Sequence, residues 1–223
     1  MPDPHLERDR LRIVLATVAV SVVGMIISSF IPGSDWRTAV AINLIDNMLL
    51  VAHIVRRRDT FMLHLIAFGV VLGFVELFAD AWLVDVTRSL DYSPGGGAFI
   101  WRSPFWMPFA WEVVAVQFAY IGVRLVERFG AVGVVLSGLI GAVNIPFYEE
   151  MALHTNWWVY RGAHMLSHTP YYIIVGEFVI AIAIALTARQ VRREILSRTL
   201  LSGAVAGASI FAAYGAAWWL IDG

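Results

Sequence analysis

Between residues 144 and 177 the chain reads NIPFYEEMALHTNWWVYRGAHMLSHTPYYIIVGE. This stretch begins in one apolar run and ends in the next. It carries Glu149, Glu150, His154, His164, His168 and Glu177. Carboxyls and imidazoles delivered to one place by two apolar segments can move protons or hold a metal. More acids lie elsewhere in apolar surroundings: Asp46, Glu76, Asp80 and Glu112. Glu76 and Asp80 are four apart and so share one face of a helix.

Two chemistries fit these side chains. The first is acid–base catalysis. Burial disfavours the charged form of a carboxyl, so a buried one can serve as a general acid while a second takes the proton back. Aromatic faces stabilise a cation formed between the two steps. Glu112 is the expected acid, with Glu76 and Asp80 as its charge partners. Glu150 and His154 form a second polar group at the mouth. Trp111 and Trp157 shape the wall, and Asn144, Glu177 and Asp46 add polar contacts to the substrate. The second chemistry is a metal site. Glu150/His154 and His164/His168 are both spaced four apart, which on a helix places two ligands on one face for Zn, Fe or Cu.

The elements that must position these groups are apolar. The 223 residues are 59% hydrophobic with a mean hydropathy of +0.72, far from an average soluble domain. Seven runs approach the ~20 residues that cross a hydrocarbon core. They cover about 12–31, 38–55, 60–86, 105–124, 130–151, 170–190 and 199–220. The expected fold is all-α, a polytopic seven-transmembrane-helix bundle forming a single membrane domain over 1–223. The first run is longer than a signal-peptide core and lacks a small-x-small cleavage site, so it reads as a retained helix. Gly203 and Gly207 on the last run predict close helix packing.

Arginine placement orients the bundle. With the N-terminus cytoplasmic, Arg8, Arg10, Arg12, Arg56, Arg57, Arg58, Arg124, Arg128, Arg189, Arg192, Arg193 and Arg198 fall inside. Arg37, Arg88, Arg102 and Arg161 fall outside. This positive-inside bias predicts a C-terminus on the outer side. All nine tryptophans then lie in the outer half or the outer loops, whereas an ordinary aromatic belt marks both interfaces. Most of the acids share that half. Charges in lipid are costly, so such groups must face inward, pair or be protonated. The expectation is an aromatic, carboxyl-lined pocket opening toward the outer side.

Composition excludes other chemistry. There is no cysteine, hence no disulfide, thiolate nucleophile or Cys metal ligand. There is no lysine, since all sixteen basic residues are arginine, hence no Schiff base of the retinal-protein kind. No phosphate loop or Asp-rich diphosphate motif is present. The implied partners are the bilayer and a hydrophobic small-molecule substrate, with no role for nucleic acid. The Arg-only, Ala/Val/Gly-rich composition points to a bacterial inner (cytoplasmic) membrane.

Ala110-Trp111-Glu112-Val113-Val114, followed by Tyr120, resembles the Ala-Trp-Glu-apolar-apolar helix of the integral-membrane terpene cyclases of meroterpenoid pathways. The resemblance implies cyclisation of a prenyl chain by protonation, with Glu112 as an acid and no cofactor required. That family's second carboxylate lies in an Asp-Gly context in its last helix, where this chain has Asp222-Gly223 at its end. The sequence leaves alternatives open: a divalent-metal hydrolase or oxygenase using Glu150, His154, His164 and His168, a proton-coupled transporter, or a pigment- or lipid-binding subunit.

Overall fold

A computed structural model describes residues 4–223. The chain is 78% helical and all-α. Its elements are α1 (Pro4–Ser29), α2 (Trp36–Arg57), α3 (Thr60–Trp82), α4 (Met107–Phe129), α5 (Ala131–His154), α6 (Tyr171–Thr187) and α7 (Leu196–Ile221). A π-helical turn, Leu83–Thr87, extends α3, and a 3₁₀ segment, Ala188–Arg193, extends α6. With those extensions, seven helices are long and apolar enough to cross a membrane.

The helix bounds differ from the hydropathy reading mostly at the ends. The first helix starts at Pro4 rather than near residue 12, because its charged first turns are held by ion pairs instead of apolar burial. Arg10 Nη1 lies 2.6 Å from Glu7 Oε1, one turn away. α5 runs through Pro146 to His154. That proline removes one backbone donor, leaving the Ala142 carbonyl without its usual helical partner.

The two long connections, 88–106 and 155–170, close the same end of the bundle. Six two-residue strands occur there: β1 (Leu90–Asp91), β2 (Phe99–Ile100), β3 (Ser103–Pro104), β4 (Val159–Tyr160), β5 (Met165–Leu166) and β6 (Thr169–Pro170). β1 pairs antiparallel with β4, Leu90 opposite Tyr160, and so ties one connection to the other. β2–β3 and β5–β6 are local hairpins. The start of α2 joins the same cap: Trp36 N donates to Gly95 O (3.2 Å), and Trp157 Nε1 donates to Asp35 O (3.0 Å).

The opposite end is held by charge. Asp59, 2% exposed, caps the N-terminus of α3 by accepting from Met62 N (3.2 Å). Both its oxygens also accept from Arg10, Nε and Nη2, at 2.7 Å each. His53 Nε2 stands 3.1 Å from Oδ2. Arg124 reaches Glu7 at 2.5 Å, and Arg192 reaches Glu127 at 2.6 Å. One carboxylate thus fixes α1, α2 and α3 together, and Glu7 carries the network on to α4.

Helix α3 is the central helix and it is approached closely on two sides. A Cβ at Gly73 would stand 2.1 Å from the Pro108 carbonyl oxygen of α4. One at Gly207 of α7 would stand 2.8 Å from the Leu72 carbonyl oxygen. The small residues of the last helix therefore serve packing within the chain. This proximity sets α3 and α4 against one another, which matters because both contribute to the cavity described below.

Two outcomes are expected. Gly73→Ala forces α4 away from α3 and lowers the unfolding free energy by about 1–3 kcal/mol, read from denaturant unfolding in detergent. Asp59→Ala strands Arg10 and costs about 3–5 kcal/mol. The same residue gives a pH dependence. Burial pushes the Asp59 carboxyl up, but the hydrogen bonds from Arg10 and then His53 outweigh it and hold it below its ordinary value. A depressed folded-state pKa stabilises fully above the unfolded value. Its contribution is lost as the pH falls below about 4, and the Asp59→Ala variant loses that part of the acid dependence.

Candidate functional site

A cavity of about 130 Å³ lies beneath the capped end. A closed space of similar size holds a benzene-sized group. Four carboxyls line it: Glu76 and Asp80 from α3, Glu149 from α5 and Glu177 from α6. Each is buried. The i,i+4 spacing of Glu76 and Asp80 places both on the inward face of α3, as the sequence predicts.

Aromatic rings form the rest of the wall. Trp106, at the start of α4, packs edge-on against Trp157 at 5.8 Å between centroids and tilts against Trp158 at 6.2 Å. Tyr92 meets Trp158 edge-on at 6.1 Å. Trp111, Tyr148, Tyr160 and Tyr214 also border the space. The Trp157 side chain anchors the cap through Asp35 O and through Thr38 Oγ1 at 3.1 Å.

Three of the four carboxyls are held by neutral donors. Asp80 Oδ2 accepts from Tyr92 OH (2.6 Å) and from Ser103 OH (2.7 Å). Glu149 Oε2 accepts from Trp158 Nε1 at 2.5 Å. Glu177 Oε1 accepts from Tyr214 OH at 2.5 Å. Burial first, and then the neighbouring carboxyls of Asp80 and Glu76, hold the Tyr92 phenol well above its ordinary pKa. Burial and then Glu149 do the same for Tyr160. Both loop tyrosines therefore remain hydrogen-bond donors at any physiological pH.

Two groups are left open. Glu76 is 1% exposed and lines the cavity; the Asp80 carboxyl and the Trp111 indole stand beside it, but neither of its oxygens completes a hydrogen bond. The Trp106 indole N–H is likewise buried without an acceptor. Among the described residues no arginine or histidine borders the cavity. A buried polar group with no partner costs about 1–3 kcal/mol. The site therefore offers one carboxyl and one indole donor to whatever enters it, and its charge balance must come from protons or from the ligand.

The expected acid, Glu112, sits elsewhere. It is fully buried, but it does not line the cavity. Its carboxyl lies beside Asn47 and Asp46 of α2 and makes no hydrogen bond. The neighbouring Trp111, Val113 and Val114 of the same helix do face the cavity. Helical phase thus turns Glu112 away from Glu76 and Asp80. Asp46 also lies off the cavity, with Oδ2 accepting from Ser21 OH at 2.8 Å. Asn144, Glu177, Trp111 and Trp157 are all lining residues.

The mouth group is exterior. Glu150 follows Glu149 by one residue, which rotates it out of the cavity. There it accepts from His168 Nδ1 (2.8 Å) and Ser167 OH (3.1 Å). His154 Nδ1 donates to the Glu150 carbonyl (2.7 Å) and stands 3.7 Å from its Oε1. The His164/His168 pair does not lie on a helix. Ser167, at φ 56°, turns the chain into the β5–β6 hairpin, so the four-residue spacing does not put both rings on one face. His164 instead bonds Asp222 Oδ1 at 2.7 Å. The Asp222 side chain, nearly buried beneath that ring, lies off the cavity. Among the described residues no group of three or more His, Asp or Glu side chains is placed to hold a metal ion.

Glu149, Tyr92, Trp106, Trp158, Tyr160 and Tyr214 complete the site beyond the sequence expectation. For Glu149 a signal existed. Ile145 and Glu149 are four apart on one face of α5, and Ile145 lines the cavity with it. Val143, 76% exposed, marks the outward face. The loop aromatics carry no such periodic signal.

The phenol–carboxyl bond gives a test. Tyr92→Phe leaves Asp80 with Ser103 alone on that oxygen and is expected to lower stability by about 1–3 kcal/mol, measured by thermal unfolding in detergent.

No curated protein and no solved structure matches the chain at a significant level. Residues 77–221 match a family described as a domain of unknown function (DUF6989). That segment includes Asp80, Glu149, Glu177 and every loop aromatic of the cavity, though not Glu76. Since it spans well over half of the sequence, the chain belongs to the DUF6989 family.

Proposed function

We propose that this protein is an intramembrane enzyme that isomerises or cyclises a lipid or isoprenoid by acid–base chemistry. One observation carries the reading: a buried carboxyl without a hydrogen-bond partner, Glu76, faces an aromatic-walled cavity whose described lining holds no arginine or histidine. The arginine distribution supports an N-terminus in the cytoplasm and a cavity toward the outer side. The composition supports the cytoplasmic membrane of a bacterium.

Glu76 acts as the proton donor, a role the sequence assigned to Glu112. Its proton adds to an alkene carbon or an epoxide oxygen of the substrate. The π bond or C–O bond breaks, and a carbocation forms against the rings of Trp106, Trp111 and Trp158. A second alkene closes on that cation to form a new C–C bond. A proton then leaves the neighbouring carbon for a carboxylate. Asp80 fits this role because Tyr92 and Ser103 fix its orientation. The proton returns from Asp80 to Glu76, one helical turn away on the same face. Product and substrate have the same atoms, so the cycle consumes no co-reactant and requires no cofactor.

The cavity excludes bulk water from the cation, which would otherwise be captured as an alcohol. Its volume suits the reacting end of a substrate rather than a whole lipid.

The test compares two isosteric variants on a panel of prenyl alkenes and their terminal epoxides, with products of unchanged mass sought by mass spectrometry. Glu76→Gln is expected to lose turnover by ~10²-fold or more, and Glu112→Gln to retain it, with both variants folded. Wild-type rates in Glu76→Gln would overturn the assignment.

A further inference from the structure

A second space adjoins the first. It measures about 90 Å³ and lies between α1, α4 and α5. Phe118, Asn144 and Tyr148 border both spaces and so stand between them. Beyond them the wall includes Val18, Ile121, Leu125 and Ile140. Ile140 is 41% exposed, so the crevice reaches the outer surface of the bundle, where lipid would lie.

The two spaces differ in what they ask of a ligand. The first presents Glu76 and the Trp106 N–H without partners. The second has no charged side chain in its wall. Of its polar groups, Gln117 donates to Thr17 Oγ1 at 3.3 Å and Ser137 donates to the Gly133 carbonyl at 2.8 Å, while Asn144 and Tyr148 stand where it meets the first space. From Trp111 to Leu125 the combined path follows α4 for about 21 Å at 1.5 Å per residue. That is roughly two thirds of a ~30 Å hydrocarbon core.

We infer that the crevice holds the tail of an amphiphile whose oxygen-bearing head occupies the carboxyl cavity. The substrate class is then a single linear hydrocarbon or prenyl chain with one small polar end. It slides in sideways from the bilayer, tail toward the arginine-rich end. A branched two-chain phospholipid does not fit so narrow a path between α1, α4 and α5. The inference rests on the acid–base reading only for what happens to the head.

The experiment uses the full chain in detergent and two photoreactive probes. One is a linear triprenyl alcohol with a diazirine at its tail end. The other is a phosphatidylcholine with a diazirine at the end of one acyl chain. The prenyl probe is expected to label residues 118–125 and 137–140 saturably, with competition by unlabelled triprenyl alcohol. Ile121→Trp or Ile140→Trp plugs the crevice and should lower the apparent affinity by roughly tenfold or more. A monoprenyl alcohol, short enough to stay in the cavity, should bind both variants as it binds wild type. Because a larger side chain can unsettle packing, Ile140→Ala serves as a second variant, expected to keep or increase labelling. Bulk-lipid binding only, seen as equal and non-saturable labelling by both probes over the outer helix surfaces, would overturn the inference. So would tail labelling that the plugging variants leave unchanged. Labelling that persists in Glu76→Gln separates this binding path from the catalytic reading. If the wild type turns over no substrate while its saturable labelling holds, the acid–base mechanism falls and the crevice stands.

Discussion

Buried carboxyls without a cationic partner are the constraint on which this structure depends. At the arginine-rich end each buried acid is answered by a guanidinium, as Asp59 is by Arg10 and Glu7 by Arg10 and Arg124. At the opposite end Glu76, Asp80, Glu149 and Glu177 surround a cavity that, among the described residues, no arginine or histidine borders. Removing an ion from water costs several kcal/mol even after relaxation. A bundle that carries four such groups in one place must recover that cost elsewhere.

The recovery is visible in the architecture. Tyr92, Ser103, Trp158 and Tyr214 supply neutral donors to three of the carboxyls. Two of these donors come from the 88–106 connection and one from the 155–170 connection. The β1–β4 pairing and the Trp157 anchor hold those connections in register over the helices. Close contact of α3 with α4 at Gly73, and with α7 at Gly207, keeps the helix that bears Glu76 and Asp80 from shifting. The fourth carboxyl, Glu76, receives no such support. A buried unsatisfied group calls for an explanation, and in this cavity only Glu76 and the Trp106 indole N–H, among the described residues, are left so.

Much of this was legible in the sequence, for physical reasons. The helices follow from apolar run length, and the grouping of acids and tryptophans at one end follows from topology. The shared face of Glu76 and Asp80 follows from the 3.6-residue period. What failed was rotation and loop geometry. Depth alone does not say which way a side chain points, so Glu112 was assigned to a cavity that its own neighbours line while it faces α2. The same ambiguity favoured Glu150 over Glu149, one residue and about 100° apart. His164 and His168 were read with a helical period in a segment that forms a hairpin, a turn set locally by Ser167. The donors to the carboxyls sit mainly in irregular loops, where position in sequence carries no periodic information.

The central claim is that the Glu76 cavity exists to hold a hydrophobic molecule by a single polar end. The most direct measurement is mass spectrometry of what the protein retains through purification in mild detergent, compared between the wild type and Glu76→Leu. The account predicts that the wild type carries an oxygen-bearing, single-chain lipid or isoprenoid, and that Glu76→Leu, with its carboxyl removed, releases it. Extracts that are identical for the two proteins, containing only phospholipids in the proportions of the membrane, would contradict it.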